Sequence, residues 1–296
     1  MKMRKGNERN RAFGRGREDQ HSESVGRRPA DVQADRLYGV MPVLEALRAG
    51  QRTVEHITIA EGARHERLRD LLDLAKTIRV PVRRAPRIEI ERSLGNVTHQ
   101  GVVARIAAAH YADAENLLDE LAARVETDQP PLALALDGIE DPRNLGAILR
   151  TAECAGVHGV FTPERRAVGL TETVAKTAAG ALEYVRVARV TNLSRLIEQL
   201  KERKIWVIGT TGDAPREYTE WDWTLPTAIF LGSEGAGLHR LVRERCDTLV
   251  RIPVLGHLES LNVAVAAGVV LYEALRQRRG AKEATAARRA FERSVD

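Results

Sequence analysis

Residues 132–161 read LALALDGIEDPRNLGAILRTAECAGVHGVF. Leu and Ala alternate up to Asp137 without a polar residue, which suits a strand covered on both faces. Gly138 breaks the run. Leu145, Ile148, Leu149 and Ala152 then recur at helical spacing over Leu145–Ala155, and a second β-rich run follows at Val157–Phe161. Strand, helix and strand in this order make a βαβ unit, whose two strands must be parallel.

The alternation continues to the end of the chain. Further β-rich runs are Tyr184–Val187, Trp206–Gly209, Ala228–Leu231 and Leu249–Ile252, and helical spacing fills Thr171–Ala179, Asn192–Arg203, Leu238–Arg245 and Leu258–Arg276. This predicts an α/β domain over residues 131–280: a mainly parallel sheet with helices on both faces and a ligand beyond the carboxyl ends of its strands. Ahead of it, residues 36–108 read as a smaller mixed α/β domain, with helices at Val40–Leu47 and Glu66–Ile78 and strands at Glu55–Ala60, Val80–Arg83 and Gly101–Ile106. A polar linker over 109–130 ends in Asp128-Gln129-Pro130-Pro131. Residues 1–35 are arginine-rich with almost no apolar periodicity and are expected to be a disordered basic arm, and residues 281–296 a charged tail that can be helical.

Composition narrows the function. A net charge of +5 with arginine gathered at both ends fits a nucleic-acid partner. With only 4% aromatic residues, an RNA module built on stacked aromatics is disfavoured. The longest apolar run, Val263–Tyr272, is about half a bilayer span, so no membrane segment is expected. No apolar stretch follows the first residues, which points to the cytoplasm. Cys154 and Cys246 lack any metal-ligand spacing, so no metal is expected.

The turn after the first strand, Asp137-Gly138-Ile139-Glu140, has no Gly-x-Gly-x-x-Gly, which argues against a nicotinamide or flavin enzyme. Glycines instead follow later strands: Gly209 and Gly212, then Gly232, Gly235 and Gly237, then Gly256. Such turns let backbone approach one ligand closely, although each alone is explained by a turn. Asn144 reads as an N-cap with Arg150 nearly two turns on, and Glu234 could cap the helix near Leu238. Asn262 enters an apolar helix, where its amide requires a partner.

Three blocks carry a family resemblance: Asp137-Gly-Ile-Glu-Asp-Pro-Arg-Asn-Leu-Gly-Ala-Ile-Leu-Arg150, Leu231-Gly-Ser-Glu-Gly-Ala-Gly-Leu238 and Ile252-Pro-Val-Leu-Gly-His-Leu-Glu-Ser-Leu-Asn-Val263. In content, order and spacing the chain resembles the SpoU/TrmH branch of the SPOUT RNA 2′-O-methyltransferases, most closely its members that act on guanosine in large-subunit rRNA. The resemblance implies a trefoil knot in the catalytic domain and S-adenosylmethionine as cofactor. It places Gly232, Ile252 and Leu261 at the cofactor, with Thr210, Gly212 and Gly256 added from the glycine turns, and Asn144, Arg150, Glu234, Ser260 and Asn262 at the polar active-site positions. It also implies a homodimer through the knotted domain and a ribosomal-protein-like RNA-binding domain opened by Tyr38-Gly39-Val40 and closed by His99-Gln100-Gly101-Val102-Val103-Ala104. That front domain favours rRNA over tRNA, and a catalytically silent RNA-binding protein is the alternative from another class.

Overall fold

The computed structural model describes residues 35–95 and 97–295. The basic arm expected over residues 1–35 lies, but for its last residue, outside them. The described chain opens with β1 (Asp35–Tyr38), α1 (Val40–Ala49), β2 (Val54–Ala60), α2 (Leu68–Thr77), β3 (Val82–Ala85), α3 (Arg87–Leu94) and β4 (Val102–Ile106). These form a four-stranded sheet in the order β1-β4-β2-β3, antiparallel except for β2 and β3. Leu44, Ile57, Ile59, Leu71, Val102 and Ile106 are fully buried in its core. Two of these elements were not read from the sequence. β1 is four residues long, and in α3 only Ile90 is buried while Ile88 stays 54% exposed, so no apolar helical stripe marks it.

After α4 (Ala114–Ala122) come β5 (Leu132–Asp137), α5 (Pro142–Cys154), β6 (Gly159–Pro163), α6 (Glu172–Thr177), β7 (Val187–Val190), α7 (Leu193–Glu202), β8 (Trp206–Thr210), β9 (Arg216–Glu217), β10 (Thr227–Gly232), α8 (Arg240–Arg245), β11 (Thr248–Arg251) and α9 (Val263–Val295). The seven strands make one sheet, parallel throughout, in the order β7-β6-β5-β10-β8-β11-β9. Leu132, Leu134 and Leu136 of β5 pack on one face against α5, α6 and α9, while Ala133 and Ala135 face α4, α7 and α8. The strand buried on both faces is thus the Leu/Ala run of the opening stretch.

Several element boundaries differ from the reading of the sequence, among them the start of α5, at Pro142 instead of Leu145, and the strands β3 and β6, each two residues further on. The strand expected at Tyr184–Val187 runs over Val187–Val190, because Ala181–Glu183 form a tight helical turn that carries Tyr184 with it. The last helix starts at Val263 instead of Leu258 and continues to Val295, so the tail expected over residues 281–296 prolongs it. The helix expected from Leu238 starts at Arg240.

The two sheets are joined by a buried ion pair. Arg52, in the turn between α1 and β2, meets Glu183 through two hydrogen bonds and donates a third to the Ala107 carbonyl at 3.2 Å. With the side chains 7% and 1% exposed, each charge depends on the other for solvation.

His158, just before β6, accepts the Leu132 N–H at Nδ1 (3.0 Å), and burial, with Arg124 and Arg278 nearby, pushes its pKa down from 6.5 to about 4. The folded state therefore binds fewer protons here than the unfolded state between these two values. Its contribution to stability is complete above pH 6.5 and is lost as pH falls towards 4. Urea unfolding followed across that window is expected to show wild type losing more stability than His158→Gln on acidification.

Candidate functional site

Four strands end side by side along one edge: β5 at Asp137, β10 at Gly232, β8 at Thr210 and β11 at Arg251. Chain order runs outward from β5 through β6 to β7 on one side and resumes with β8 on the other, with β10 inserted between β5 and β8. Such a switch point opens a crevice at the carboxyl ends of the strands. Here it is a cleft of about 500 Å³ lined by Thr210, Gly212, Gly232, Glu234, Ile252, Ser260 and Leu261, among others.

Gly232 shapes its floor. A Cβ on this residue would lie 2.0 Å from the Gly237 carbonyl carbon and 2.2 Å from the Leu238 nitrogen. The loop can fold back that closely only over a glycine. Its return is held by the Ser233 N–H to Gly237 carbonyl bond (3.1 Å) and the reciprocal Gly237 N–H to Ser233 carbonyl bond (2.9 Å). Gly235 and Gly237 take positive φ values of 88° and 65°. At the next strand end Thr210 donates its hydroxyl to the Phe230 carbonyl (3.1 Å), which ties β8 to β10 and leaves its backbone on the cleft. On the rim, the Arg243 guanidinium donates to Asp213 at 2.8 Å and holds that carboxyl below its usual pKa.

Of the residues expected to hold a cofactor, Thr210, Gly212, Gly232, Ile252 and Leu261 meet in this cleft. Gly256 does not: it lies outside the lining, and open space surrounds the position of its Cβ. Gly209, read as part of a glycine turn, is buried inside β8, where a Cβ would strike Leu249, Cys246 and Leu238 within 2.9 Å. Its absent side chain serves packing.

Beside the cleft Asn144, Glu234 and Asn262 form one hydrogen-bonded cluster. Asn144 Nδ2 and Asn262 Nδ2 both donate to Glu234 Oε1, at 2.7 and 2.6 Å, and Asn262 Nδ2 also donates to Asn144 Oδ1 at 3.0 Å. Glu234 Oε2 accepts no bond from the described residues. The capping roles read from the sequence are redistributed. Asp141 caps α5 by accepting the Arg143 N–H (2.7 Å), which leaves the Asn144 amide in the first turn free to reach Glu234. Glu234 caps no helix, since α8 starts after His239 without a side-chain cap. Asn262 is the cap of α9, accepting the N–H groups of Ala264 (3.0 Å) and Val265 (3.3 Å) at Oδ1.

Arg150 lies elsewhere. Six residues turn a helix by about 600°, so it stands about 120° around α5 from Asn144. It lines a different cleft, between the two sheets, that shares no lining residue with the cleft at Gly232. The structure adds residues that the sequence did not single out. Asp137, 4% exposed at the end of β5, accepts the His239 N–H (2.8 Å) and meets His239 Nδ1 (2.8 Å). His239 and Arg166 line a groove of about 330 Å³ on the far side of the 233–237 loop, together with Asn144 and Glu234. Asp137 was legible as a polar residue ending an apolar strand, but its partner stands 102 residues away and no local pattern joins the two.

Comparison with known proteins gives matches to both parts of the chain. Residues 131–272 match the model of the SpoU rRNA Methylase family, and residues 36–112 that of RNA 2′-O ribose methyltransferase substrate binding. The 23S rRNA (guanosine-2′-O-)-methyltransferase RlmB of Pseudomonas syringae pv. tomato is 47% identical over 83% of this chain and 97% of its own length. The protein of the same name from Pseudomonas putida is 46% identical over 83% of this chain and 98% of its own. The crystal structure of the SpoU methyltransferase AviRb from Streptomyces viridochromogenes in complex with the cofactor AdoMet superposes with a TM-score of 0.66 at 26% identity, covering 83% of this chain and 90% of that one.

The double duty of Asn262 can be separated by urea unfolding. Asn262→Ala removes cap and cluster together and is expected to cost about 1 kcal/mol, while Asn262→Ser keeps a capping oxygen and recovers most of it. Equal losses in the two variants would instead assign the stabilisation to the bonds with Glu234 and Asn144.

Proposed function

We propose a specific reaction for a chain that belongs to the SpoU rRNA methylase family: it transfers a methyl group from S-adenosylmethionine to a ribose 2′-hydroxyl of RNA, on a guanosine of large-subunit rRNA. The observation that carries the reaction is the junction of the Gly232 cleft with a carboxylate whose one oxygen is held by two amides and whose other is open.

The residues present fit the cofactor. Gly232 leaves room for backbone contact where a Cβ would close the floor, and Thr210, Gly212, Ile252 and Leu261 supply the surrounding walls. When bound there, S-adenosylmethionine would supply a methyl group on a positively charged sulfur, which would keep the bonding pair and leave as a neutral thioether. The rest is orientation by this chain. Asn144 and Asn262 hold Glu234 Oε1, which turns Oε2 towards the nucleotide. The ribose hydroxyl donates to Oε2, which aims an oxygen lone pair and takes the proton as the new C–O bond forms. Ser260 shapes the wall between carboxylate and cofactor. Arg150 is assigned to a phosphate of the target, where its charge favours the ionised hydroxyl; a guanidinium is too weakly acidic to serve as the base.

Arg150 and Glu234 lie in separate clefts of one chain, and in this reading a second copy supplies the Arg150 that meets the nucleotide at Glu234. The homodimer of this reading pairs through the apolar surface beside the site, where Leu255 is 100% exposed and Leu258, Val265 and Tyr272 are more than half exposed. The inserted β10 and the return of the chain from β11 to α9 belong to the trefoil knot of the same reading. The four-stranded sheet unit is assigned to RNA binding, and an rRNA substrate sets the cytoplasm as the place of action.

Incubation with radiolabelled S-adenosylmethionine and, separately, unmodified large-subunit rRNA and total tRNA, followed by mapping of the label, tests the proposal. Label is expected at one guanosine ribose of the rRNA, and Arg150→Lys is expected to lower turnover by a factor of about 10 or more through loss of the bidentate guanidinium. Label in tRNA alone would overturn the substrate, and label in neither the reaction.

A further inference from the structure

The cleft that holds Arg150 has room beyond the phosphate assigned to that residue. We propose that it binds one nucleotide of the RNA strand beside the methylated ribose, an inference that rests on the RNA-methyltransferase reading. At about 490 Å³ it falls in the range of roughly 300–1,000 Å³ typical of small-ligand sites, which admits one unpaired nucleotide and no duplex.

Its walls come from both sheets. Tyr38 and Gln100 belong to the four-stranded unit, and Arg150, Lys176 and Tyr184 to the other. Gln100 Oε1 accepts the Val40 N–H at 3.1 Å, which leaves the amide N–H groups to donate. Lys176 Nζ stands 4.8 Å from the centre of the Tyr38 ring, which steadies a cation on the cleft wall. Arg150 has no ion-pair or hydrogen-bond partner among the described residues, although it sits beside a carboxylate-bearing wall. Of the two carboxylates on that wall, Glu153 stands three residues on from Arg150 in α5, and Glu45 is engaged by Arg48 and by the Tyr184 hydroxyl (2.8 Å each). That second bond also fixes the Tyr184 ring, which remains 49% exposed.

The set is an aromatic face, two cations and an amide donor. It matches an unpaired nucleotide: ring against base, cations against phosphate, amide against a base edge. Backbone strain points the same way. Gln100 and Ala179, on opposite walls, are two of the five non-glycine residues with positive φ among the described residues, at 52° and 53°. Such conformations are retained where the fold over-determines them, as at ligand clamps. The buried Arg52–Glu183 pair fixes the two walls relative to each other, so the cleft is formed before RNA arrives.

The test uses Gln100→Glu, which keeps the oxygen that accepts from Val40 and removes the donors, and Lys176→Met, which keeps an apolar stem on Tyr38 and removes the charge. Neither side chain is part of a core. Filter binding of unmodified large-subunit rRNA is measured at several salt concentrations, and S-adenosylmethionine binding by calorimetry. Each variant is expected to weaken rRNA binding about 10-fold, with Lys176→Met reducing the salt slope by about one and cofactor affinity unchanged. Wild-type rRNA affinity and salt slope in both variants would overturn the proposal. Loss of rRNA binding in the variants, with no methylation by any form of the protein, would sustain the cleft and sink the reaction. A wild type that binds no rRNA would sink both.

Discussion

β10 hydrogen-bonds to β5 along one edge and to β8 along the other, and this insertion sets the positions of the Gly232 cleft and of the amide–carboxylate cluster beside it. It brings the ends of two strands distant in sequence, Asp137 and Gly232, into register as direct neighbours. The helix after β5 then presents Asn144 to the loop after β10, which carries Glu234. The Asn262 side chain closes the set from the start of α9. A parallel sheet leaves its orphan backbone groups and loop turns at one edge, so ligand-holding backbone and reactive side chains are collected there by topology alone.

Within that edge two kinds of residue do different work. Glycine acts by what it lacks: at Gly232 the loop lies so near that any side chain would have to occupy the space of the Gly237 backbone. The amides act by fixing a carboxylate. Two donors hold Glu234 Oε1, and the proposed reaction uses the carboxylate so oriented as the acceptor for a weakly acidic hydroxyl. Asn262 serves both the helix and the site, so the end of the chain is tied to the chemistry by one residue.

Much of this was legible in the sequence, and the rest was hidden for identifiable reasons. The Leu/Ala run at 132–136 revealed a strand buried on both faces, and the strand–helix alternation revealed the parallel sheet. The glycines flagged the cleft, but Gly209, Gly232 and Gly256 look alike in sequence: one packs, one floors the cleft and one lies outside it. Which is which depends on the chain folded over them. Asn144, Glu234 and Asn262 were singled out, yet the caps read at the first two belong to neither, because Asp141 takes the start of α5 and α8 has no side-chain cap, and the bonds that join the three span 28 to 118 residues. The family resemblance groups Arg150 with them, while within one chain it stands about 120° around α5 from Asn144 and lines a separate cleft. The Asp137–His239 contact has no sequence signature at all.

The central claim is that cofactor holding and hydroxyl orientation are separate tasks of adjoining residues, the first of the Gly232 cleft and the second of Glu234. Single-turnover methyl transfer to large-subunit rRNA by Glu234→Gln, compared with its affinity for S-adenosylmethionine by calorimetry, addresses it directly. The account predicts cofactor affinity close to wild type and transfer slowed by a factor of about 100 or more, the usual scale for loss of a proton-accepting group. Transfer at the wild-type rate, or a loss of transfer matched by an equal loss of cofactor affinity, would contradict it.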